Sequence, residues 1–255
     1  MKIALLHLAL AGGPEARNRR RIFSAARRAA DAGARWIVTP ESALEGYFFK
    51  RDHPNAPVPV RGRGDFSPFR VLAERKSIHL FLCCAERDAE SGEDFNACFH
   101  IQTDGTCVRA HRKMYSHQSG AEKWLSLGDR ADVSCIGGVR AGVLICSDAY
   151  YRHPVDMMRL KGAELILVPA AWPPGACCPD PPAVWETCSQ RAGAAVVVCN
   201  QTGCYDGMDM MTGKSAVIEG GKVLFSYQGA PAILLFAYDE GRKAVQSHAF
   251  QVLEV

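Results

Sequence analysis

Long apolar runs are missing from this sequence. No stretch approaches the roughly 18 consecutive apolar residues that a membrane-spanning helix requires. The run from Ile3 to Leu10, which follows Lys2, is too short for a secretory signal and leads into no convincing small-residue cleavage pattern. We therefore interpret this run as a buried strand, and we expect a cytoplasmic protein with no membrane partner.

A large excess of charge of one sign is also missing. The 30 Lys and Arg residues nearly balance the 27 Asp and Glu residues, which leaves a net charge of +3. So small a charge argues against nucleic acid or an anionic membrane as a partner. The basic run at residues 17–28 is interleaved at helical spacing with apolar residues such as Ile22 and Ala26, so we interpret it as the solvated face of a helix.

Paired cysteine motifs are a third absence. The 11 cysteines are odd in number, and none of them forms a Cys-x-x-Cys motif. Cys83-Cys84 and Cys177-Cys178 are adjacent pairs, which is a poor geometry for ordinary disulfides. We expect reduced thiols, no metal site and no organic cofactor.

An alternation of strand-like and helix-like segments fills the 255 residues. With 48% hydrophobic residues and no low-complexity segment, the chain can bury a sizeable core, and we expect one domain over residues 1–255. Proline near the first turn opens each predicted helix. The predicted helices cover residues 14–33, 68–76, 154–162 and 181–192, and the predicted strands cover residues 2–8, 36–39, 79–84, 96–102, 107–111, 140–145, 165–169, 194–199, 214–218, 223–227 and 232–237.

Three reactive side chains stand at the ends of strand-like segments: Glu41, Lys113 and Cys146. A thiol is a useful nucleophile only as thiolate, which a nearby ammonium favours, and a carboxylate can take the thiol proton and later activate water. Each residue also has an ordinary structural interpretation. A cysteine after three aliphatic residues is usually a core residue, a glutamate after proline usually lies in a loop or at a helix start, and a lysine often ends a strand.

The segments around these residues resemble the nitrilase superfamily of carbon–nitrogen hydrolases along almost the whole chain. The resemblance implies an α+β fold, a four-layer α-β-β-α sandwich with two central mixed sheets. It also implies a catalytic triad of Glu41, Lys113 and Cys146, with Glu122 as the second glutamate that orients the lysine and the substrate. The matching segments are Val38-Thr-Pro-Glu41, Gly46-Tyr47, Phe95-Asn96, Asp104-Gly105, His111-Arg-Lys113, Glu122-Lys-Trp, Gly142-Val-Leu-Ile-Cys146-Ser-Asp148, Lys161 to Trp172, Asn200-Gln-Thr-Gly203, Gly213-Lys-Ser215 and Gly220-Gly221.

The sequence departs from the family pattern at several positions. Ser147 follows the nucleophile where many members have an aromatic residue, and His153-Pro-Val155 replaces a usual Pro-Glu. Arg191 occupies a position where many members have glutamate, so we assign it no function. Members that act on nitriles typically have Trp-Glu after the cysteine, whereas this chain has Ser147-Asp148. These departures bear on the substrate more than on the chemistry.

Four further residues are predicted to bind the substrate. The backbone N–H of Ser147, together with Lys113, is placed to stabilise a tetrahedral oxyanion. Tyr47, Trp172 and Tyr150 are candidates for the acyl side of the pocket, although ordinary core or rim packing explains such aromatic residues as well. The proline-rich loop at residues 172–182 follows the strand next to the nucleophile and is expected to help shape the pocket.

The expected function is hydrolysis of a non-peptide C–N bond in a small amide or N-carbamoyl compound by water, through a thioester on Cys146. Three alternatives stay open: a nitrilase, an acyltransferase of the same superfamily, and a non-catalytic scaffold of the same fold. Family members commonly assemble through the helix after the nucleophile. We therefore expect a homodimer or higher homo-oligomer, with Met157, Met158 and Leu160 supplying an apolar surface.

Overall fold

The computed structural model describes residues 1–62, 64–116, 120–173 and 181–255. Cys177 and Cys178, and most of the proline-rich loop predicted to shape the pocket, lie outside the described residues. Glu41, Lys113, Glu122 and Cys146 all lie inside them.

The first sheet has eight strands and is mixed. β1 pairs in parallel with β2, and β2 pairs in parallel with β3, while the remaining neighbours are antiparallel. The strand order is β15-β14-β1-β2-β3-β4-β5, and β16 also pairs with β14. The strands are β1 (Lys2–His7), β2 (Ala34–Val38), β3 (His79–Arg87), β4 (Asp94–Ile101), β5 (Cys107–Arg112), β14 (Ala232–Asp239), β15 (Ala244–Val245) and β16 (Gln251–Glu254).

The second sheet has six strands in the order β13-β12-β9-β8-β7-β6 and is also mixed. The central strands β7, β8 and β9 are parallel, and they are almost continuously apolar because both of their faces are covered. A separate two-stranded hairpin consists of β10 and β11. The strands are β6 (Val133–Ile136), β7 (Val139–Val143), β8 (Leu165–Ala170), β9 (Ala195–Asn200), β10 (Cys204–Tyr205), β11 (Met208–Asp209), β12 (Lys214–Glu219) and β13 (Lys222–Gln228).

Helices cover the outer faces of both sheets. The apolar faces of α1 and α3 pack on one side of the first sheet, where Ile22 and Phe69 join the cluster around Leu6. A second cluster lies between the sheets and beneath α4 and α5, and it joins Phe81 of the first sheet to Leu167 of the second. The helices are α1 (Glu15–Asp31), α2 (Phe49–Asp52), α3 (Ser67–Lys76), α4 (Arg152–Leu160) and α5 (Pro181–Ala192).

This arrangement confirms the α-β-β-α sandwich with two mixed central sheets. All four predicted helices and all eleven predicted strands are present, with bounds that differ by a few residues. The short helix α2 and the strands β6, β10, β11, β15 and β16 were not predicted. These elements are short or carry polar residues on both faces, so they show no apolar period. No helix in the described part of the chain is long and apolar enough to cross a membrane.

One predicted surface residue lies in the core. Met158 on α4 is fully buried, because Gly142 on β7 has no side chain and leaves room for the Met158 sulfur. Leu160 on the same helix is 74% exposed. The apolar surface expected from α4 is therefore smaller than the sequence indicates.

Candidate active site

Glu41 lies in a turn that follows β2 and bonds to the middle of β3. The N–H groups of Ala43 and Leu44 donate to the carbonyl of Cys83 at 3.0 and 3.3 Å, and Ser42 adopts a left-handed φ of 47°. The turn directs the Glu41 side chain into the protein, where it is fully buried. A buried carboxylate is costly unless it is paired, so its partners indicate its function.

Lys113 follows β5 and is held by β4. Its N–H donates to the carbonyl of Asn96 at 2.8 Å, which continues the β4–β5 pairing by one residue. The side chain is 1% exposed, and its Nζ lies 2.6 Å from Glu41 Oε1 and in a short contact with Glu122 Oε1. Lys113 is therefore an ammonium between two carboxylates.

Glu122 reaches Lys113 from a one-turn 3₁₀ helix at Gly120–Glu122. Ala121 in this turn packs with Phe48, and the ring of Trp124 contacts Phe49 edge-on at 5.1 Å between centroids. These contacts attach the turn to the segment that follows Glu41. The structure thus brings Glu122 to Lys113.

Cys146 is the third residue after β7 and begins a 3₁₀ turn. Its φ is 50°, a conformation that is costly for a residue with a side chain and that is often found at functional sites. The Glu41 carboxylate and the Cys146 thiol interact electrostatically, and each changes the pKa of the other. The turn therefore completes a cluster in which Glu41 pairs with Lys113 and acts on Cys146.

The two oxygens of Glu41 have separate partners. Oε1 accepts from Lys113 and, at 2.8 Å, from Asn96 Nδ2, while Oε2 accepts from the N–H of Ala171 at 3.0 Å. Gln201 donates from its side chain to the Glu41 carbonyl at 2.8 Å. These donors fix the carboxylate in one orientation next to the thiol.

The electrostatics of the cluster favour a protonated cysteine at rest. Burial, followed by the charge of Glu41, raises the pKa of the Cys146 thiol well above its ordinary value, although Lys113 acts in the opposite direction. Burial also raises the pKa of Glu41. Burial alone would lower the pKa of Lys113, but Glu41 and Glu122 outweigh it and raise that pKa well above its ordinary value. The expectation that Lys113 favours the thiolate holds for its own contribution but not for the net result.

Two of the predicted substrate-binding residues lie beside the cluster. Burial and the carboxylates of Glu122 and Glu41 raise the pKa of the Tyr47 phenol, which places this group within electrostatic reach of both. Trp172 is 4% exposed and follows Ala171, the residue that donates to Glu41. Its indole Nε1 is buried without a hydrogen-bond partner in the described part of the protein.

The other two, Ser147 and Tyr150, lie on the same 3₁₀ turn as Cys146. Ser147 is buried, and its hydroxyl donates to the carbonyl of Tyr115 at 2.6 Å, so its side chain fastens the turn. Tyr150 is 53% exposed and stands edge-on to Tyr151. It lines a groove with residues of α4 and α5, and no contact between it and Glu41, Lys113 or Cys146 is found among the described residues.

Asn96 and Asn200 are site residues that the sequence interpretation did not single out. Asn96 could have been found from strand register, because the pairing of Ala97 with Arg112 makes it the neighbour of Lys113. Asn200 accepts from the N–H of Trp172 and donates to its carbonyl, both at 2.9 Å, which fixes the end of β8. In the described ranges, no three His, Cys, Asp or Glu side chains are grouped so that they could hold a metal ion.

Comparisons with known proteins identify the family of this chain. A family model described as carbon–nitrogen hydrolase matches residues 3–224. A citrullinase from Francisella tularensis subsp. tularensis (strain SCHU S4 / Schu 4) is 30% identical over 183 residues, which are 67% of this chain and 61% of that protein. A glutamine-dependent NAD(+) synthetase from Xylella fastidiosa (strain Temecula1 / ATCC 700964) is 27% identical over 229 residues, which are 86% of this chain and 41% of the synthetase. The chain thus spans less than two thirds of either relative.

Solved structures share the fold. The NitN amidase from Nesterenkonia sp. AN1 has a TM-score of 0.80 at 20% identity, with 95% of this chain and 94% of that chain covered. A mutant of the Nesterenkonia amidase, with a TM-score of 0.79 at 20% identity over 94% of this chain and 93% of that chain, carries acrylamide added at its active-site cysteine. Because the family model matches most of its length, this chain belongs to the carbon–nitrogen hydrolase family.

Proposed function

We propose that this protein hydrolyses a non-peptide C–N bond in a small amide or N-carbamoyl compound through a thioester on Cys146. One observation carries the proposal: a single buried carboxylate, Glu41, pairs with the Lys113 ammonium at 2.6 Å and interacts electrostatically with the Cys146 thiol. A base near its nucleophile, with a cation beside it, is the arrangement that covalent acyl transfer requires. A scaffold without catalysis would have no need to bury these charges.

In the first half of the proposed reaction, Cys146 Sγ attacks the carbonyl carbon while its proton passes to Glu41. The tetrahedral oxygen is stabilised by Lys113 and by the backbone N–H of Ser147. When the C–N bond breaks, Glu41 gives its proton to the leaving nitrogen, and ammonia or an amine departs. The acyl group remains on Cys146 as a thioester.

In the second half, water attacks the thioester and Glu41 takes its proton. The C–S bond then breaks, the sulfur regains a proton, and the product acid leaves. The separate partners of the two Glu41 oxygens suit this sequence, because Lys113 and Asn96 hold Oε1 while the carboxylate exchanges protons with the reacting groups. Glu122 keeps Lys113 charged and in place throughout.

The relatives support two substrate groups. The citrullinase supports a carbamoyl nitrogen compound, and the glutamine-dependent synthetase and the Nesterenkonia amidase support a carboxamide. Nothing in the geometry of the described site favours nitrile cleavage. We therefore propose amide and carbamoyl compounds as the first substrates to test.

The test is intact-mass spectrometry after rapid mixing with a panel of simple carboxamides, glutamine and N-carbamoyl amino acids. A true substrate should give a transient acyl adduct on Cys146, located by peptide mapping, and release ammonia or amine. Cys146→Ala and Cys146→Ser should fold normally but lose both signals, because a serine hydroxyl is not ionised in this setting. Turnover by the alanine variant at more than a trace rate would show that the nucleophile is assigned wrongly.

We also propose that the protein forms a homodimer or higher homo-oligomer. Leu160 on α4 supports this, because it is 74% exposed on a helix that otherwise packs on the second sheet. Light scattering at micromolar concentration should show more than one copy, and Leu160→Lys should weaken the assembly. A monomer at that concentration would contradict the proposal.

A further inference from the structure

The carboxylate of Asp148 is fully buried and accepts hydrogen bonds on both oxygens. Oδ1 accepts from the N–H groups of Met114 and Tyr115 at 3.0 and 2.8 Å. Oδ2 accepts from the N–H of Ile145 at 3.0 Å and lies 2.8 Å from His111 Nε2. The four donors give each oxygen of this buried carboxylate two hydrogen-bond partners. The loss of a donor from such a buried network is costly.

These donors belong to the two segments that carry the reactive groups. His111, Met114 and Tyr115 lie on either side of Lys113, and Ile145 immediately precedes Cys146. Asp148 itself lies on the same turn as Cys146. One carboxylate therefore connects the backbone that positions the ammonium with the backbone that positions the thiol.

His111 completes the connection from the strand side. Its side chain is fully buried, and its Nε2 faces Asp148 while its Nδ1 has no hydrogen-bond partner among the described residues. An imidazole with one bonded nitrogen, and that bond to a carboxylate, serves as the donor of the pair. The ring thus adds a side-chain link to the three backbone links.

We propose that Asp148 and His111 are positioning residues that set the geometry between Lys113 and Cys146, and this inference rests on the proposed function of those two residues. The left-handed φ of Cys146 is costly, so something must hold the turn. The N–H of Ile145 bonded to Asp148 does so at the residue before the strained one. A misplacement of the thiol by about 1 Å is enough to cost on the order of 10²-fold in rate.

The first test replaces Asp148 by asparagine, which preserves size but turns one acceptor into a donor that faces other donors. We expect kcat to fall by about 10- to 100-fold while KM changes by less than about threefold. Asp239→Asn is the matched control. Asp239 accepts two backbone N–H groups and one side-chain N–H at the surface, at the end of β14 and outside the cluster. A variant that melts earlier but retains kcat would show that Asp148 serves stability alone.

The second test covers the case in which Asp148→Asn does not fold. Glutamine can donate from a position close to that of imidazole Nε2, and leucine cannot. We expect His111→Gln to retain activity within about threefold of the wild type and His111→Leu to lose about tenfold in kcat. His100→Leu, which removes another buried histidine from the same hairpin, should leave kcat unchanged. Equal activity of the two His111 variants would overturn the proposal for this residue.

A third readout does not depend on turnover. Hydrogen exchange at the amides of Met114, Tyr115 and Ile145, and the rate of Cys146 alkylation by 2-chloroacetamide, report on the geometry directly. In Asp148→Asn we expect faster exchange and an altered alkylation rate, with neither changed in Asp239→Asn. If wild-type protein forms no acyl adduct, the proposed function fails while these two measurements still decide the positioning role. Unchanged values in Asp148→Asn would overturn it.

Discussion

Replacing Glu41 and Glu122 in turn by glutamine separates catalysis from charge balance in the buried cluster. Both carboxylates contact Lys113 Nζ, so either change removes one negative charge beside the same ammonium. Glu41 acts more strongly on the Cys146 pKa than Glu122 does. The two variants therefore form a matched pair that differs in interaction with the nucleophile.

The expected losses differ in size. Removing a general base typically costs about 10²- to 10⁴-fold, and 10²-fold corresponds to about 2.7 kcal/mol of transition-state stabilisation. Glu41→Gln should therefore lose at least about 10²-fold in kcat. Glu122→Gln leaves Lys113 paired with Glu41 and the thiol near its base, so we expect a loss of about tenfold, or about 1.4 kcal/mol.

Stability provides a check on this interpretation. Breaking a buried ion pair costs about 3–5 kcal/mol when the remaining charge is left alone. Lys113 keeps one carboxylate in each variant, so the free energy of unfolding should fall by less than that in both. Glu41→Gln should be the less stable variant, because its new amide N–H₂ faces donors from Asn96 or Ala171.

The assay is single-turnover acylation followed by intact mass, with kcat, KM and melting curves measured in parallel. Glu41→Gln should slow adduct formation far more than Glu122→Gln at comparable KM. Equal slowing in both variants would mean that Glu41 acts only through Lys113. Unchanged kcat with raised KM in Glu41→Gln would assign Glu41 to binding and refute its role as the base.

Two further predictions concern pH and the pocket. Burial lowers the pKa values of His7 and His100 to about 4, so between about pH 6.5 and pH 4 the unfolded chain binds protons that the folded protein does not. The free energy of unfolding should therefore fall as pH is lowered through that range, by up to about 3 kcal/mol per histidine. The melting temperature of His7→Gln should fall less over the same pH range than that of the wild type. Tyr47→Phe should lower kcat/KM by about fivefold to tenfold because it removes a hydroxyl on a partly buried ring near the carboxylates, whereas Tyr150→Ala, at an exposed residue, should stay within about twofold. A larger effect of Tyr150→Ala in steady-state kinetics would place that residue in the pocket after all.

The sequence predicts where strands end better than it predicts which side chains meet at those ends. Apolar runs bounded by glycine and proline locate the strands after which Glu41 and Cys146 stand, and the family resemblance then brings them together with Lys113. The partner of each side chain depends on register and on turns that cross between strands. Asn96 reaches Glu41 only because the β4–β5 pairing places it beside Lys113, and no local pattern indicates this.

The burial of single residues is also difficult to predict from the sequence. The pattern around α4 indicates an apolar surface. Met158 does not contribute to that surface, because Gly142 on β7 has no side chain and leaves room for Met158 in the core. Tyr150 similarly follows the nucleophile by four residues, yet the 3₁₀ turn directs it towards solvent. The sign of the Cys146 pKa shift also depends on how deeply the turn is buried, which a motif does not encode.

The charge of the cluster explains why a raised thiol pKa is compatible with nucleophilic catalysis. With both carboxylates ionised and Lys113 charged, the buried groups carry a net charge of −1, and a free thiolate would make it −2 in a medium that solvates charge poorly. Passing the proton from Cys146 to Glu41 leaves the net charge unchanged, so the step avoids that cost. The sulfur then becomes anionic only as it attacks a bound carbonyl.

A resting thiol is also a poor target for oxidants and alkylating agents, which will react first with the exposed thiols of Cys135 and Cys204. Selective modification of Cys146 therefore requires a reagent that resembles the substrate enough to enter the site and receive the sulfur while Glu41 takes its proton.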